Sequence, residues 1–167
     1  MLIFEDFLRQ ADMRRLISMV FTVIATSALL FSPTWADYSS GMAAYASGDF
    51  DTAAREFSLL AAKGDMEGQY NLGLLYEEGQ GVSKSFDEAV SCYTKAAQQG
   101  YVDAYFALGE IYISRSAPKK DHIAAYRWLE MAAKYGHPRG NDEFERNKSA
   151  MTAEQLDEAR KHSLVGN

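Results

Sequence analysis

An all-α solenoid, a short α/α superhelix of stacked helix pairs, is the architecture this sequence encodes, and three observations point to it. The first is self-similarity at a spacing of 36 residues: Gly64, Gly100 and Gly136 recur at that interval, as do Ala53, Ala89 and Ala125, and Phe57, Tyr93 and Leu129. Leu72-Gly73 returns as Leu108-Gly109, Tyr76 as Tyr112, and Ala96-Ala97 as Ala132-Ala133. A period of about 20–50 residues marks units too small to bury their own apolar faces, which stack to share a core. The second is helical periodicity inside a unit: Phe50, Ala53, Ala54, Phe57, Leu60 and Ala61 fall on one helical face. The third is glycine within a predicted helix, Gly73 beside Leu72. Glycine there costs about 1 kcal/mol against alanine, which makes sense where a neighbouring helix must approach closely.

Taken in chain order, the units divide at 37–64, 65–100 and 101–137, with a cap at 138–167. In the first, Gly41 to Ala46 reads as the end of a short helix, Ser47-Gly48-Asp49 as a turn, and Phe50 to Lys63 as a second helix. In the second, helix A carries Gly68, Leu72, Leu75 and Tyr76 on one stripe. The loop from Glu77 to Lys84 follows, then helix B with Phe86, Ala89, Val90, Tyr93, Ala96 and Ala97 inward. Ser85 is its N-cap, and Glu88 stands where a capping box wants it. The third restates this with Ala104, Leu108, Gly109, Ile111 and Tyr112 on helix A, and Ala124, Ala125, Trp128, Leu129, Ala132 and Ala133 on helix B, capped by Asp121. Its loop has Arg115-Ser116-Ala117-Pro118 where the second has Gly79-Gln80-Gly81-Val82, so the two loops should differ in conformation. Beyond Gly136 the register degrades: Pro138 to Lys148 is a polar, weakly periodic helix, and Thr152-Ala153-Glu154-Gln155 opens a last amphipathic helix to about His162, with Leu156 and Ala159 inward. Polar terminal helices of this kind cap a solenoid end.

Residues 1–36 read as a secretory signal. Arg14 and Arg15 precede the uncharged, mostly apolar run of 16 residues from Leu16 to Phe31; Pro33 then leads into Thr34-Trp35-Ala36, whose small residues suit cleavage after Ala36. The run is shorter than the ~20 residues of a membrane span. Glu5, Asp6 and Asp12 are unusual ahead of such a run, and Met13 offers an alternative start. The whole chain has 17 basic and 23 acidic residues. The segment 1–36 holds three of each sign (Arg9, Arg14, Arg15; Glu5, Asp6, Asp12), so the remainder keeps a net charge of −6. That balance argues against nucleic acid, whose phosphates need a basic footprint, and favours basic partners. Cys92, the single cysteine, cannot close an intramolecular bridge and reads as a small packing residue, an intermolecular disulfide being the other option.

Gly73-x-x-Tyr76, Gly79-Gln80-Gly81-Val82, Ala89-x-x-x-Tyr93 and Ala96-Ala97-x-x-Gly100 together resemble Sel1-like repeats, a branch of the tetratricopeptide superfamily. The first unit resembles an ordinary tetratricopeptide repeat. Gly41 precedes Ala53 by 12 residues, whereas Gly73 precedes Ala89, and Gly109 Ala125, by 16. The resemblance implies a right-handed superhelix that scaffolds protein–protein contacts, often in bacterial envelope or secreted proteins. It also implies that the A helices line a concave face, with the residues three before and one after the motif glycine directed into it. Those are Tyr70 and Leu74 in one repeat and Phe106 and Glu110 in the next, with Glu67, Glu77 and Asp103 nearby. An aromatic floor with an acidic rim suits a peptide with apolar anchors and basic flanks. Packing of Tyr70 and Phe106 between repeats is the alternative use of the same rings. A cysteine-rich branch of the family is linked to β-lactam binding or hydrolysis, but it staples its repeats with paired cysteines that this chain lacks.

Catalytic patterns are not found. His122, His137 and His162 have no partner at metal-ligand spacing and read as surface or capping residues. Gly79-Gln80-Gly81 lacks the preceding strand and the Lys-Ser/Thr ending of a phosphate cradle, and no serine sits in a Gly-x-Ser-x-Gly context. Asp142-Glu143-Phe144-Glu145 reads as a solvated helical face. The sequence therefore leads to a periplasmic or secreted bacterial protein, non-enzymatic and without cofactor or metal. Its role would be that of an adaptor for a protein or peptide, with no nucleic acid and no membrane span after signal cleavage. An envelope hydrolase acting on peptidoglycan or β-lactams, and a structural subunit of a larger assembly, are the other readings.

Overall fold

The chain is helical throughout what the computed structural model describes, residues 34–114 and 120–163. Eight helices follow one another there: α1 (Thr34–Ser47), α2 (Phe50–Ala62), α3 (Met66–Glu78), α4 (Phe86–Gln98), α5 (Val102–Ile113), α6 (His122–Lys134), α7 (Gly140–Ser149) and α8 (Ala153–Lys161). The described residues from Asp37 onward form one compact unit. The apolar run from Leu16 to Phe31 and the loop residues 115–118 lie outside the described residues. Among the described residues no helix is long and apolar enough to cross a membrane.

Each step from one helix pair to the next is built the same way, and the repeated glycine explains why. Gly64, Gly100 and Gly136 sit at φ of 86°, 87° and 80°, in the left-handed region open to glycine. Their N–H groups donate to the carbonyls of Ala61, Ala97 and Ala133, and the residues after them, Asp65, Tyr101 and His137, donate to Leu60, Ala96 and Ala132. The same bonds thus recur three times at a spacing of 36. Within a repeat, helices A and B are joined by a second recurring bond. Ser85 N–H donates to Tyr76 C=O at 2.9 Å, and Asp121 N–H to Tyr112 C=O at 2.9 Å, again 36 residues on.

Caps fall where the sequence places them, with one correction. Ser85 Oγ accepts from Glu88 N–H at 3.3 Å, and Asp121 Oδ1 accepts from Ile123 and Ala124 N–H. Ser85 does not complete a capping box: its own N–H is already committed to Tyr76, so Glu88 has no donor to reach back to. The full reciprocal box forms at α8 between Thr152 and Gln155. The two A helices leave differently, through left-handed Gly79 (φ 73°) after α3 but through extended Ser114 after α5.

The core is shared between neighbours, as stacked repeats require. Ala53, Phe57, Leu60, Leu75 and Cys92 fill one cluster, and Ala89, Tyr93, Ala96, Leu108, Ile111, Ala125 and Leu129 the next. Cys92 is buried and burial pushes its thiol pKa up, which fits a packing residue. The helical glycines work as close-contact points. A Cβ on Gly73 would stand 2.6 Å from the Tyr93 ring, and one on Gly109 2.5 Å from Leu129.

The last helices correct the reading of 138–167 as a loss of register. Gly140 opens α7 against the backbone of Ala132 and Ala133, as Gly68 lies against Leu60 and Ala61 72 residues earlier. The buried side chains of α7 are polar, Glu143 and Asn147, so an apolar count misses them. Asn147 Nδ2 donates to His122 C=O at 2.9 Å while its Oδ1 lies 2.7 Å from His122 Nδ1, which therefore carries the proton. His122 is thus a half-buried staple between α6 and α7, not a surface group. Tyr126, not expected inward, is buried against Phe144 (centroids 4.8 Å apart). In exchange Trp128 and Ala124 are only half-buried. Ala159 anchors α8, which packs back on α6.

Candidate functional site

Glu67, Tyr70, Leu74 and Glu77 are spaced three, four and three residues apart on α3, so they form one stripe; Asp103, Phe106 and Glu110 repeat it on α5. The structure brings the two stripes into one electrostatic neighbourhood. The tyrosine of Tyr70, pushed up to about 12 by burial, also feels the carboxylates of Asp103, Glu77 and Glu110 and, in the opposite sense, Arg139. Tyr101 is pushed up to about 12 by burial, then by Asp103, with Glu67 contributing. Burial raises the Glu110 pKa, Arg139 opposes that, and Glu143 and Glu77 add to it.

The aromatic residues divide into two settings. Tyr70 is half-buried, its ring centroid 5.6 Å from Tyr93 and 5.1 Å from Tyr101, both tilted. Tyr93 is fully buried and donates its hydroxyl to Glu77 Oε2 at 2.8 Å. Burial and then Glu77 hold its pKa far above the usual phenol range. Phe106 is covered. His137 stacks flat on it, 4.0 Å between centroids at 13°, and the Arg139 guanidinium lies 4.5 Å from its centroid while Nη2 reaches Glu110 Oε2 at 3.3 Å. Phe106 is only 5% exposed, so its ring serves as packing under the following turn and not as an open floor. Leu74 is half-buried against the core, Glu77 is half-buried, and Glu67 and Asp103 are exposed.

Sequence reasoning missed Arg139 and His137. A signal for the first was present: Glu67, Asp103 and Arg139 are themselves 36 apart, one column continued into α7's approach. His137 is not a surface group, its side chain being only 11% exposed, and it holds the start of α7. Its Nδ1 accepts the Arg139 N–H at 3.2 Å, which leaves Nε2 to carry the proton of the neutral ring, 3.7 Å from Asp103 Oδ1. His162 stays exposed, paired with Glu158 at 3.2 Å. Among the described residues no group of three or more His, Cys, Asp or Glu could hold a metal ion.

His137 has a pH consequence. Burial lowers its pKa, Asp103 opposes and Arg139 assists. The unfolded chain, at about 6.5, therefore takes up a proton before the folded one does. Stability from this site is complete above that value and is lost as pH falls through it. The urea midpoint is expected to fall between about pH 7 and pH 5, and His137→Gln to flatten that slope; an unchanged slope in the variant would remove His137 as its source.

These helix pairs, their glycine turns and the longer A–B loop after α3 define a Sel1-type helical solenoid. The Sel1 repeat family model matches residues 67–101 and 102–137: the chain carries two Sel1 repeats. It is 39% identical over 90 residues to an uncharacterised protein of Neisseria meningitidis serogroup B, covering 54% of this chain and 18% of that one. Among solved structures it is similar to a protective antigen of uropathogenic Escherichia coli displaying an SLR fold. There the TM-score is 0.70 and the identity 28%, over 81% of this chain and 30% of that one. A Sel1 repeat protein from Oxalobacter formigenes matches with a TM-score of 0.50 and 33% identity, over 56% of this chain and 38% of that one. The chain thus spans less than a fifth of the meningococcal protein and less than two fifths of either solved structure. Sel1-repeat proteins are generally protein-interaction modules.

Proposed function

We propose that this chain is an exported, non-enzymatic interaction module of the bacterial cell envelope, using the α3–α5 face to hold a protein or peptide. The observation that carries the reading is the acidic and aromatic patch on two successive A helices: Glu67, Tyr70, Leu74 and Glu77 beside Asp103 and Glu110. Its tyrosines keep their protons at physiological pH, so they offer hydrogen-bond donors and apolar surface, not a base or nucleophile. Export is supported by Arg14, Arg15, the Leu16–Phe31 run and Thr34-Trp35-Ala36.

Because Tyr70 and Phe106 also pack, truncating them would confound binding with folding. Reversing the exposed charges Glu67 and Asp103 to lysine avoids this, since exposed substitutions usually change stability by under about 0.5 kcal/mol. The Glu67→Lys, Asp103→Lys protein is expected to keep its helical circular dichroism yet lose partners recovered from envelope extract by the tagged native chain. Recovery equal to native would refute the use of this face.

A further inference from the structure

We infer that Arg139 is a displaceable internal occupant of the α5 face, and that an arginine of a protein partner takes its place on the Phe106 ring and the Glu110 carboxylate. The inference rests on the interaction-module reading and adds the contact by which the chain covers its own face.

Arg139 stands where the helix it opens gives no reason for an arginine. Asp49, Asp65, Ser85, Asp121 and Thr152, at the starts of α2, α3, α4, α6 and α8, each accept an N–H of their own helix. Arg139 precedes α7 and makes no such bond. A cation there also meets the positive end of the helix dipole. The other members of its column obey that rule: Glu67 and Asp103, 72 and 36 residues earlier, put carboxylates in the first turns of α3 and α5. The side chain's contacts are instead with α5. Its guanidinium lies 4.5 Å from the Phe106 centroid, and Nη2 reaches Glu110 Oε2 at 3.3 Å. A planar cation on an aromatic ring, closed by a carboxylate, is a contact that arginine makes better than lysine.

Two features make this contact removable. The Arg139 side chain is 68% exposed and that of Glu110 42%, so the pair sits in water, where such pairs hold weakly. The turn itself does not depend on the guanidinium: Gly140 N–H donates to His137 C=O, Arg139 N–H donates to His137 Nδ1, and His137 stacks on Phe106 at 4.0 Å. Swinging the side chain away therefore uncovers ring and carboxylate together and leaves their frame in place. Arg146 does not step in, being paired with Glu143 at 2.5 Å on its own helix. The vacated site keeps the geometry that already holds a guanidinium, so a partner's arginine fits it. An anionic ligand would meet Glu110 as like charge.

The test uses the purified protein and the nonapeptide Gly-Ala-Leu-Ala-Arg-Ala-Leu-Ala-Gly, with a citrulline counterpart that keeps the planar shape and loses the charge. An exposed ion pair and an exposed cation–π contact together favour the covered form by about tenfold, and removing the occupant returns that factor to a ligand. By calorimetry, Arg139→Gln is expected to bind the arginine peptide about tenfold more tightly than the native protein does, with no gain for the citrulline peptide. Adding Glu110→Gln should cancel the gain, and the urea midpoint of Arg139→Gln should stay at the native value. Equal affinity of native protein and Arg139→Gln, an equal gain for citrulline, or no binding by Arg139→Gln overturns the inference. So does a large fall in its midpoint, which would make Arg139 a brace. If the Glu67→Lys, Asp103→Lys protein still loses its envelope partner in any of those cases, the module reading stands without the displacement.

Discussion

Tyr93→Ala is expected to lower the unfolding free energy by about 3–5 kcal/mol, read as a shift of the urea midpoint at unchanged slope. The ring is fully buried, lies against the bare Cα of Gly73, and meets Tyr70 at 5.6 Å. Two sides of the ring are poorly placed to collapse into the space. The Gly73 side has no side chain to move, and Tyr70 is held on its other flank by Tyr101. A domain of this size is stable by about 5–15 kcal/mol in all, so the loss removes a large share. Tyr93→Phe separates the hydroxyl from the ring: it leaves Glu77 without its donor, but Glu77 is half-buried and can recover water, so about 1 kcal/mol is expected. A Tyr93→Ala cost no larger than that of Tyr93→Phe would show that the ring does not hold α3 and α4 together.

The same residue shows why so much of the fold was legible. Tyr93 answers to Phe57 and Leu129 at a spacing of 36, and all three are fully buried. Each of these large residues of a B helix meets a glycine on the A helix opposite, Phe57 on Gly41, Tyr93 on Gly73 and Leu129 on Gly109, and both halves of that complementarity are written in residue types. Turns were legible for the same reason, since Gly64, Gly100 and Gly136 each need a positive φ. The end of the array was harder to see. There burial is carried by Glu143 and Asn147, whose sequence signature is that of a solvated helix; their packing in the fold, and for Asn147 its bonds to His122, make them interior. The candidate face was half legible. The stripes on α3 and α5 follow from spacing, but that Phe106 is roofed by His137 and Arg139 depends on the path of the turn after α6. Local periodicity does not encode that path.

Gly140→Ala puts the hidden end of the array to a direct test. Helix propensity alone favours the change, by at most about 1 kcal/mol at this first helical position. Packing opposes it more strongly. A Cβ there would stand 2.8 Å from Ala132 C, 2.8 Å from Ala133 N and 2.9 Å from Ala132 O. These are backbone atoms of α6, which no rotamer change moves aside. Relief has to come from lifting α7 away from α6, which strains the Asn147–His122 pair and the Tyr126–Phe144 contact. A net loss of about 2–3 kcal/mol is expected. It should be seen first as faster amide exchange in α7, while α3 and α4 keep their protection, because repeats feel chiefly their neighbours. Asn141→Ala, one residue on and exposed, is the control and should change stability by less than about 0.5 kcal/mol. If Gly140→Ala proved as neutral as that control, or stabilising as propensity alone would have it, α7 could not be seated on α6 as the earlier A helices are on theirs. The roof that Arg139 and His137 place over Phe106 would then lose its support.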